Sequence, residues 1–420
     1  MSESSKAPNV AMLPEEWKMT TVGKSCAIRN KLRFPLNAAD RESMNGVYPY
    51  FGPTGQLDLI DHYRIDEPFA LIGEDGDHFL KYKDRPMTIY FEGKANVNNH
   101  AHIIGDSDDC LAKWFYYCFM HRDLTPVLSR QGVGRYKLTK AGLEKLEFPL
   151  PPKREQAEIV QVLSTWDEAI LAMERLVSNS RLQRVLLAQQ MLTGQVRIKA
   201  FAVSTRKQQT PYGPLPSEWA YRRVGEVATE VSQKLGDSVP HPVLSCTKHK
   251  GLVDSLVYFK KQVFSADTST YKVVPRGSFV YATNHIDEGS IGYQDLYDFG
   301  LVSPMYTVFV TSEEVDDAFL FALLKTEHYR QIFASATNAS VDRRGSLRWK
   351  DFRNLHIPFP PIEEQRAIAN VLAAAAREGD AIQNQLDLLR TEKAALMSQL
   401  LTGKRRVKLR EAEAEMDPQA

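Results

Sequence analysis

Cysteine is scarce in this chain, and the spacing of the cysteines argues against a structural metal site. Only four occur in 420 residues, at Cys26, Cys110, Cys118 and Cys246, and none lies in a CxxC pair or near a pair of histidines. Structural zinc sites and disulfide frameworks need such clusters. We therefore expect unpaired thiols in a protein of the reducing cytoplasm, and no structural zinc.

Long apolar runs are missing as well. No stretch approaches the length of about 18 apolar residues that a membrane span needs, and residues 1–11 contain no apolar run. A signal peptide would require such a run near the N-terminus. The sequence therefore predicts neither a signal peptide nor a membrane partner.

Motifs that carry chemistry are also absent from the sequence. It contains no Asn-Pro-Pro-Tyr-like motif of adenine methylation and no glycine-rich cofactor loop. The segment Val22-Gly23-Lys24-Ser25 resembles the end of a phosphate-binding loop, but Lys18 stands where that loop requires glycine. His100, His102 and Asp106 form only a weak metal-binding pattern. We expect no catalytic residue, no metal and no cofactor in this chain, and chemistry in its partners.

The composition is that of an ordinary globular protein whose charge is unevenly distributed. Hydrophobic residues make up 43% of the chain, charged residues 25%, and the formal net charge is +1. At this length two or three domains are expected. Residues 122–140, 248–250 and 343–353 are basic, whereas residues 58–77 are strongly acidic. Basic patches on a nearly neutral chain fit a DNA-binding face, although solvated surface charge is the commoner origin of any single cluster.

One stretch of the sequence occurs twice, in residues 148–194 and again 209 positions later in residues 357–403. Each copy has a Pro-Pro pair, then a Glu-Gln pair in the first helical turn, and finally Leu-Thr-Gly as a stop signal. The Glu-Gln pairs are Glu155-Gln156 and Glu364-Gln365, where a carboxylate suits the helix dipole. The repeat predicts two equivalent long helices.

Both copies carry a heptad seam. Apolar residues recur at alternating steps of four and three over more than four heptads, which is the pattern of a coiled coil. The apolar seam residues are Ile159, Leu163, Trp166, Ile170, Met173, Val177, Leu187 and Met191 in the first copy, and Ile368, Leu372, Ile382, Leu386, Leu389, Leu396 and Leu400 in the second. Two ordinary amphipathic helices, each docked on its own domain, are the alternative.

The register of the seam favours antiparallel pairing of the two helices. That arrangement places Ser180 opposite Gly379 and Lys393 opposite the indole of Trp166. Each polar or charged residue of the seam then faces a residue that can accommodate it, either a small one or an aromatic ring that attracts a cation. Parallel pairing, which would set Trp166 beside Ala375, remains open at this point.

The segments outside the two helices share little except their ends. Each opens on Leu-Pro-x-x-Trp, at Leu13 and Leu215, and between these ends the two segments diverge. Short β-branched and aromatic runs predict strands, and longer amphipathic runs predict helices. The predicted strands are residues 69–72, 87–91, 278–281 and 306–310, and the predicted helices are residues 111–120 and 318–325.

These patterns predict an α/β (α+β) fold in which two globular domains, each with a curved sheet, are separated by two long helices. The helices form an antiparallel coiled coil, and the chain has a pseudo-two-fold internal repeat. The predicted boundaries are 1–147 for the first domain, 148–198 for the first helix, 199–214 for a linker, 215–356 for the second domain, 357–407 for the second helix and 408–420 for a charged tail.

The doubled helix framework with its two divergent domains resembles the specificity subunit of a type I restriction-modification system. The resemblance extends from about residue 13 to residue 407 and includes Gly73-Glu74-Asp75-Gly76 and residues 48–55, 98–102 and 302–306. It implies two target-recognition domains, each reading one half of a split site in double-stranded DNA. It also implies that the helices form a spacer that docks methylation subunits, with two such subunits and with restriction or translocase subunits in the complex. S-adenosylmethionine, ATP and magnesium are then expected only in those partners.

The length of the seam agrees with a split DNA site. Residues 159–191 span about 48 Å at 1.5 Å per residue, which exceeds one DNA turn of about 34 to 36 Å. Two domains at opposite ends of the helices would contact half-sites a turn or slightly more apart, with an unread gap between them.

Candidate DNA-contacting residues follow from charge and from polar side chains near glycines. The basic residues suit phosphates, and asparagine suits the N6 and N7 atoms of adenine. It is equally open that Asn98 and Asn99 only shape a turn and that His100 belongs to a buried network. The candidates are Arg130, Arg135, Lys137, Asn98, Asn99, His100 and His102 in the first domain, and Lys248, His249, Arg343, Arg344 and Arg348 in the second.

Other classes of protein remain open from the sequence. The same reader could serve a methylation-only or other phage-defence assembly, which its partner genes would distinguish. A hydrolase or nuclease with an unrecognised site would cut or modify DNA alone. A coiled-coil scaffold without sequence preference would bind random DNA as well as any target.

Overall fold

The structure is a computed structural model that describes residues 13–131, 135–211, 213–338 and 345–408, apart from the side chains of Gln131, Arg135 and Asn338. It contains two compact units. The first unit consists of the chain up to Glu174 and from Asn384 onward, and the second runs from Arg175 to Gln383. Each of the two long helices therefore contributes one half to either unit.

In the first half of the chain, short strands and helices precede one long helix. Up to residue 192 the strands are β1 (Lys18–Thr21), β2 (Ala27–Ile28), β3 (Tyr48–Phe51), β4 (Gln56–Ile60), β5 (Ile65–Asp66), β6 (Phe69–Gly73), β7 (Thr88–Phe91), β8 (Lys94–Val97), β9 (Ala101–Gly105), β10 (Ser129–Gln131), β11 (Arg135–Lys137) and β12 (Glu147–Leu150). The helices of this half are α1 (Val22–Ser25), α2 (Ala38–Glu42), α3 (Ala112–Phe119), α4 (Lys140–Glu144) and α5 (Lys153–Leu192).

The second half continues with its own strands and helices. The strands are β13 (Lys207–Thr210), β14 (Gly213–Pro216), β15 (Ala220–Arg223), β16 (Ala228–Val231), β17 (Leu244–Thr247), β18 (Gly251–Asp254), β19 (Lys272–Pro275), β20 (Phe279–Ala282), β21 (Ile291–Tyr293), β22 (Phe299–Val302), β23 (Tyr306–Thr311) and β24 (His356–Phe359). The helices are α6 (Val224–Val227), α7 (Ser255–Phe259), α8 (Asp317–Leu324), α9 (Glu327–Asn338), α10 (Trp349–Phe352) and α11 (Ile362–Leu400).

A four-stranded antiparallel sheet, in the order β2-β9-β6-β7, forms the core of the first unit. Every residue of β6 and β9 is buried, so their sequences do not alternate between apolar and polar as a half-exposed strand would. Helix α3 adds the buried Trp114 and Phe115 to this core. A second sheet, β4-β3-β8-β5, contains the parallel pair β3 and β8.

The second unit has a matching sheet in the order β16-β23-β20-β21. Aromatic rings fill its core. The rings of Phe279 and Phe309 stack with their centroids 4.9 Å apart, and Tyr281 lies 4.7 Å from Phe352. Helix α8 adds the buried Phe319 to the same cluster. Aromatic pairs at such distances stabilise a core beyond the area that they bury.

The strands and helices predicted inside both globular segments are confirmed. The predicted strands correspond to β6, β7, β20 and β23, and the predicted helices to α3 and α8. The predicted linker of residues 199–214, in contrast, contains β13, which pairs with β14 in a hairpin. Gln208 donates from its side-chain amide to the carbonyl oxygen of Pro216 at 3.1 Å, so this segment is folded onto the second globular segment.

Within each unit the two long helices run antiparallel, which excludes the parallel alternative. In the first unit Arg390 donates to Glu174 at 2.6 Å and Lys393 pairs with Asp167. In the second, Ser180 lies opposite Gly379, where an added Cβ would come within 3.2 Å of the serine oxygen. The predicted contact of Ser180 with Gly379 is thus confirmed.

The predicted partner of Lys393 is wrong. Its ammonium pairs with Asp167 and lies 5.6 Å from the ring centroid of Tyr117, instead of lying on the indole of Trp166. A carboxylate attracts an ammonium more strongly than an indole does, and helix α3 supplies the aromatic ring. None of the apolar residues of the predicted seam is exposed, and Ile159, Leu163, Val177, Ile368, Leu386 and Leu400 are buried.

A buried carboxylate fixes the start of α5 in the first unit. Glu155 is 1% exposed and accepts from the indole nitrogen of Trp17 at 2.9 Å. The guanidinium of Arg406, just beyond α11, donates to both of its oxygens at 2.6 and 2.9 Å. Arg406 also reaches Glu16 at 3.0 Å. The carboxylate therefore does more than complement the helix dipole, because it joins the Leu-Pro-x-x-Trp motif to the far end of the other helix.

The second unit contains the same arrangement. Glu364 is 1% exposed and accepts from Trp219 at 2.9 Å. Arg197, just beyond α5, donates to both oxygens of Glu364 at 2.8 Å and to Glu218 at 3.1 Å. We call this repeated contact of a glutamate, a tryptophan and an arginine the latch.

The glycine of each Leu-Thr-Gly stop lies at the latch. Gly194 and Gly403 have φ values of +66° and +72°, as expected for a residue that ends a helix. A Cβ on Gly194 would lie 2.5 Å from Pro216, and one on Gly403 would lie 2.5 Å from Pro14. Only glycine combines this backbone conformation with such a close approach.

The glutamine beside each latch glutamate binds the main chain of the turn before α3 or α8. Gln156 donates to the carbonyl of Asp109 at 2.7 Å and accepts from the amide of Leu111 at 2.9 Å. Gln365 accepts from the amide of Asp316 at 2.9 Å and donates to the carbonyl of Glu314 at 3.1 Å. Both glutamines are fully buried. The start of each long helix is thereby fixed to its own globular segment.

We expect Arg197→Ala to destabilise the second unit, because it leaves the carboxylate of Glu364 buried without a cation. Removing one partner of a buried ion pair costs about 3 to 5 kcal/mol, whereas an exposed pair contributes at most about 1 kcal/mol. The matched control is Arg222→Ala, which breaks a pair with Glu314 whose side chains are 37% and 62% exposed. Thermal unfolding followed by circular dichroism should show a clearly lower Tm for Arg197→Ala only. Equal melting temperatures of the two variants would contradict a stabilising role of the latch.

Candidate nucleic-acid interface

The hairpin of β10 and β11 carries an exposed basic candidate of the first unit. Arg130 is exposed, and its guanidinium donates to the hydroxyl of Tyr136 at 3.3 Å and lies 5.4 Å from the centroid of that ring. The amide of Gly76 donates to the carbonyl of Tyr136 at 3.1 Å, and that of Leu138 to the carbonyl of Glu74 at 2.7 Å. These bonds fix the hairpin to the loop after β6. Residues 132–134 and the side chain of Arg135 lie outside the described part.

His102 lies beneath this hairpin in a buried network. Its Nδ1 accepts from the amide of Asn30 at 3.0 Å and from Arg33 at 2.8 Å, so the proton is on Nε2, which donates to the carbonyl of Leu138 at 2.8 Å. The side chain is 1% exposed. His102 therefore cannot contact a base edge in this conformation, and its prediction as a base-reading residue is corrected to a role in holding the hairpin.

Glu74 connects two cations to the same network. It accepts from Arg33 at 2.8 Å and from Lys137 at 3.2 Å. Burial pulls the pKa of Glu74 upward, but Lys137 and Arg33 outweigh that effect, so the pKa lies below its usual value. The side chain of Lys137 is 26% exposed, so this candidate can still reach a phosphate, although Glu74 compensates part of its charge.

The turn from Asn98 to His100 divides the remaining candidates of the first domain. Asn98 is 7% exposed and accepts from the amide of His100 at 2.8 Å, so it shapes the turn, as the alternative interpretation held. Asn99 is exposed. His100 is half exposed and its Nδ1 lies 3.1 Å from a carboxylate oxygen of Asp75. Asn99 and His100 remain available to a ligand, whereas Asn98 does not.

A basic cleft of 680 Å³ lies in the first unit between the turn after β2, the start of β5 and the start of α4. Its charged lining residues are Arg29, Lys31, Arg64, Lys140, Asp66 and Glu67. Glu67 pairs with Arg29 at 3.3 Å, which leaves the lining with a net positive charge. This cleft was not predicted from the sequence. The run of Arg29, Lys31 and Arg33 at alternate positions was the available signal.

In the second unit Lys248 and His249 lie at the tip of the hairpin of β17 and β18, and both are exposed. Lys325 holds this tip, because its ammonium donates to the carbonyl of Lys248 at 3.0 Å and to that of Gly289 at 2.8 Å. Burial lowers the pKa of Lys325. The position of Lys248 and His249 at a strand end is confirmed, and the tip is fixed to the core.

The basic cluster before α10 is only partly described. Arg348 is exposed and immediately precedes α10, whereas Arg343 and Arg344 lie outside the described residues.

The four cysteines are free thiols. Within the described ranges, no group of three or more His, Cys, Asp or Glu side chains is arranged to hold a metal ion. None of the helices in those ranges combines the length and apolar character that crossing a bilayer requires.

A family model described as "Type I restriction modification DNA specificity domain" matches the chain twice, over residues 14–180 and 216–388. Each match contains one globular segment and the part of the long helix that follows it. The two matches together cover well over half of the sequence.

Individual relatives carry related names. The chain is 23% identical over 432 residues to the type I restriction enzyme MjaVIII specificity subunit of Methanocaldococcus jannaschii, covering 97% of each chain. It is 32% identical over 148 residues to the putative type I restriction enzyme specificity subunit S.HindORF215P of Haemophilus influenzae, where the match covers 35% of this chain and only 36% of that protein. The S subunit of a type I restriction-modification system from M. genitalium has the same fold, with a TM-score of 0.55 at 14% identity over 94% of this chain and 99% of that one.

Acidification should destabilise the first unit through His102. Burial lowers the pKa of His102, and the bond to the carbonyl of Leu138 only partly offsets this effect. Below the unfolded pKa of about 6.5 the unfolded chain binds the proton more readily, so stability falls as the pH falls. The Tm should therefore drop between about pH 7.5 and about pH 5.5, and the drop should be smaller in His102→Gln. In the control Asn99→Ala, which alters an exposed neighbour without a titratable group, the drop should match that of the unmodified chain. A full drop in His102→Gln would contradict this assignment.

Proposed function

Because the chain belongs to the family of type I restriction-modification DNA specificity proteins, we propose that it reads a bipartite, gapped DNA target with one domain per half-site. The observation that carries this proposal is the doubled framework. Two unlike globular segments are fixed to equivalent helices by the same latch, as expected for a reader whose targets differ while its scaffold stays constant. The internal repeat of the sequence, at an offset of 209 residues, supports a pseudo-two-fold relation between the two readers.

The basic surface of the first domain supplies contacts to the DNA backbone in this proposal. Arg130 on the hairpin and Lys140 at the cleft are exposed, and the hairpin is fixed by the network around His102. Side chains that bind phosphates set the register of a protein on DNA without reading its sequence. Asn99 and His100 are then the candidates for base contacts. In the second domain Lys248, His249 and Arg348 have the corresponding role.

The long helices bind the partner subunits in this proposal. The second half of α5 exposes Leu182, Val185 and Leu186, which are 60%, 65% and 47% accessible and lie outside the seam. Contiguous exposed apolar side chains on a helix are typical of a protein interface. We assign this surface to a methylation subunit. Two such subunits, with restriction or translocase subunits, would supply the catalysis and would bind S-adenosylmethionine, ATP and magnesium, in the cytoplasm.

Base-resolution mapping of modified adenines in host DNA tests the function directly. With its methylation partner present, the chain should produce a split motif with a fixed gap that disappears when the chain is removed. Exchanging residues 13–147 for those of a relative should alter one half of the motif and leave the other half unchanged. A continuous motif, or a change in both halves, would refute the modular reader. Restriction of unmodified incoming DNA separates a full restriction complex from a methylation-only assembly.

Arg130→Ala should weaken binding to the mapped duplex and lower its salt dependence, because one phosphate contact is lost. The slope of log K against log salt should fall by about one for each such contact. Lys83→Ala, which removes an exposed cation outside the hairpin and the cleft, is the matched control. A slope equal to that of the unmodified chain would exclude Arg130 from the DNA backbone contacts.

A further inference from the structure

The short helix α7 of the second unit carries apolar side chains that the described residues leave partly exposed to solvent. Its last four residues are Leu256, Val257, Tyr258 and Phe259, and they are 53%, 75%, 43% and 39% exposed. Single exposed apolar residues are ordinary on protein surfaces, but four in succession on one short helix mark a binding surface.

Hydrogen bonds fix the backbone of α7 at its start. Ser255 at the start of α7 is fully buried and shares a 2.7 Å hydrogen bond with Ser245 of the neighbouring strand. Asp254 accepts from the amide of Val257 at 3.0 Å through one oxygen and from the hydroxyl of Tyr297 at 2.9 Å through the other. The helix ends at Lys260, whose φ is +53°. The exposed side chains are therefore displayed by a fixed backbone and not by a frayed loop.

The surroundings of α7 are basic. Exposed cations lie on both sides of it in the sequence, at Lys248 and Lys250 before the helix and at Lys260 and Lys261 after it, and His249 lies at the same hairpin tip. Asp254 is the only acid between residues 248 and 263, and both of its carboxylate oxygens are engaged by Val257 and Tyr297. The ammonium of Lys250 lies 5.5 Å from the ring centroid of Tyr258. A protein partner with an apolar surface would not need this density of positive charge, whereas a phosphate backbone would.

We propose that α7 is the base-reading element of the second domain and enters the major groove of double-stranded DNA. The flanking lysines contact phosphates on either side, and Val257, the most exposed of the four residues, packs against the methyl group of a thymine. The major groove is about 12 Å wide and admits an α-helix, and the thymine methyl is the apolar group that it offers. This half-site therefore includes an A·T pair that is read through its methyl group. The inference rests on the proposed function and names the residues that carry it in this domain.

Uracil substitution tests the contact, since uracil pairs like thymine but lacks the methyl group. The complete chain, assembled with its methylation partner, is titrated with target duplexes in which each thymine of the half-site is replaced in turn. One replacement should weaken binding by about fourfold, the equivalent of one buried methyl group. Val257→Ser should bind the thymine and uracil duplexes alike. Val239→Ser changes a valine that is 77% exposed elsewhere in the same unit, and it should keep the fourfold difference.

Two further measurements separate the possible failures. Lys260→Ala combined with Lys261→Ala should weaken binding to all sequences and reduce the salt slope while keeping the response to uracil. If no thymine is sensitive in the unmodified complex, or if Val257→Ser keeps the sensitivity, the inference is overturned. It is also overturned if Val257→Ser loses the methylation partner on a sizing column, because α7 would then be a protein-docking face. The absence of any split motif with the unmodified chain would refute the proposed function instead.

Discussion

A buried carboxylate at the start of each long helix is the constraint on which the rest of the structure depends. Glu155 and Glu364 are almost inaccessible to water, and a charge in that position is tolerated only when strong donors surround it. The donors come from the beginning of the globular segment and from the residues beyond the other helix. Because all three parts must meet for the charge to be compensated, one contact sets both the entry of the domain and the antiparallel course of the helices.

The elements governed by local periodicity could be predicted from the sequence. The heptad seam, the helix stops and strands such as β6 follow from patterns within a few turns or residues. The latch could not be predicted, because Trp17 and Glu155 are 138 positions apart and Arg406 is 251 positions from Glu155. The sequence does show that the arginine belongs to the repeat, since Arg197 and Arg406 each stand three residues after the stop glycine, but it does not show the partner of that arginine. The misplaced partner of Lys393 has a similar cause, because the Tyr117 ring is supplied by another element.

The candidate interface was predictable in position but less so in side-chain role. Exposed cations such as Arg130 and Lys248 lie where the charge pattern placed them. His102 and Asn98 are polar residues whose sequence context resembles a loop, yet both are buried. His102 lies in the buried strand β9, and Asn98 forms a tight turn by accepting from the amide of His100. Sequence alone does not distinguish a polar side chain that meets a ligand from one that satisfies the backbone. The basic cleft around Lys31 and Lys140 combines residues more than a hundred positions apart, so the local run of Arg29, Lys31 and Arg33 indicates only one side of it.

The glutamine that follows each latch glutamate has a consequence for how such chains diversify. Gln156 and Gln365 recognise carbonyl and amide groups of the turn before α3 or α8, and these groups are the same whatever side chains the turn carries. Each glutamine therefore binds only main-chain groups of the turn, and this binding does not depend on the side chains of the turn. At this contact a recognition module can change its side chains without a compensating change in the glutamine, whereas its side-chain contacts with the helices, such as Tyr117 with Asp167, must be kept or replaced. The hydrogen bonds of the Gln156 and Gln365 side-chain amides thus allow the side chains of this turn to diverge during evolution while the long helix stays attached.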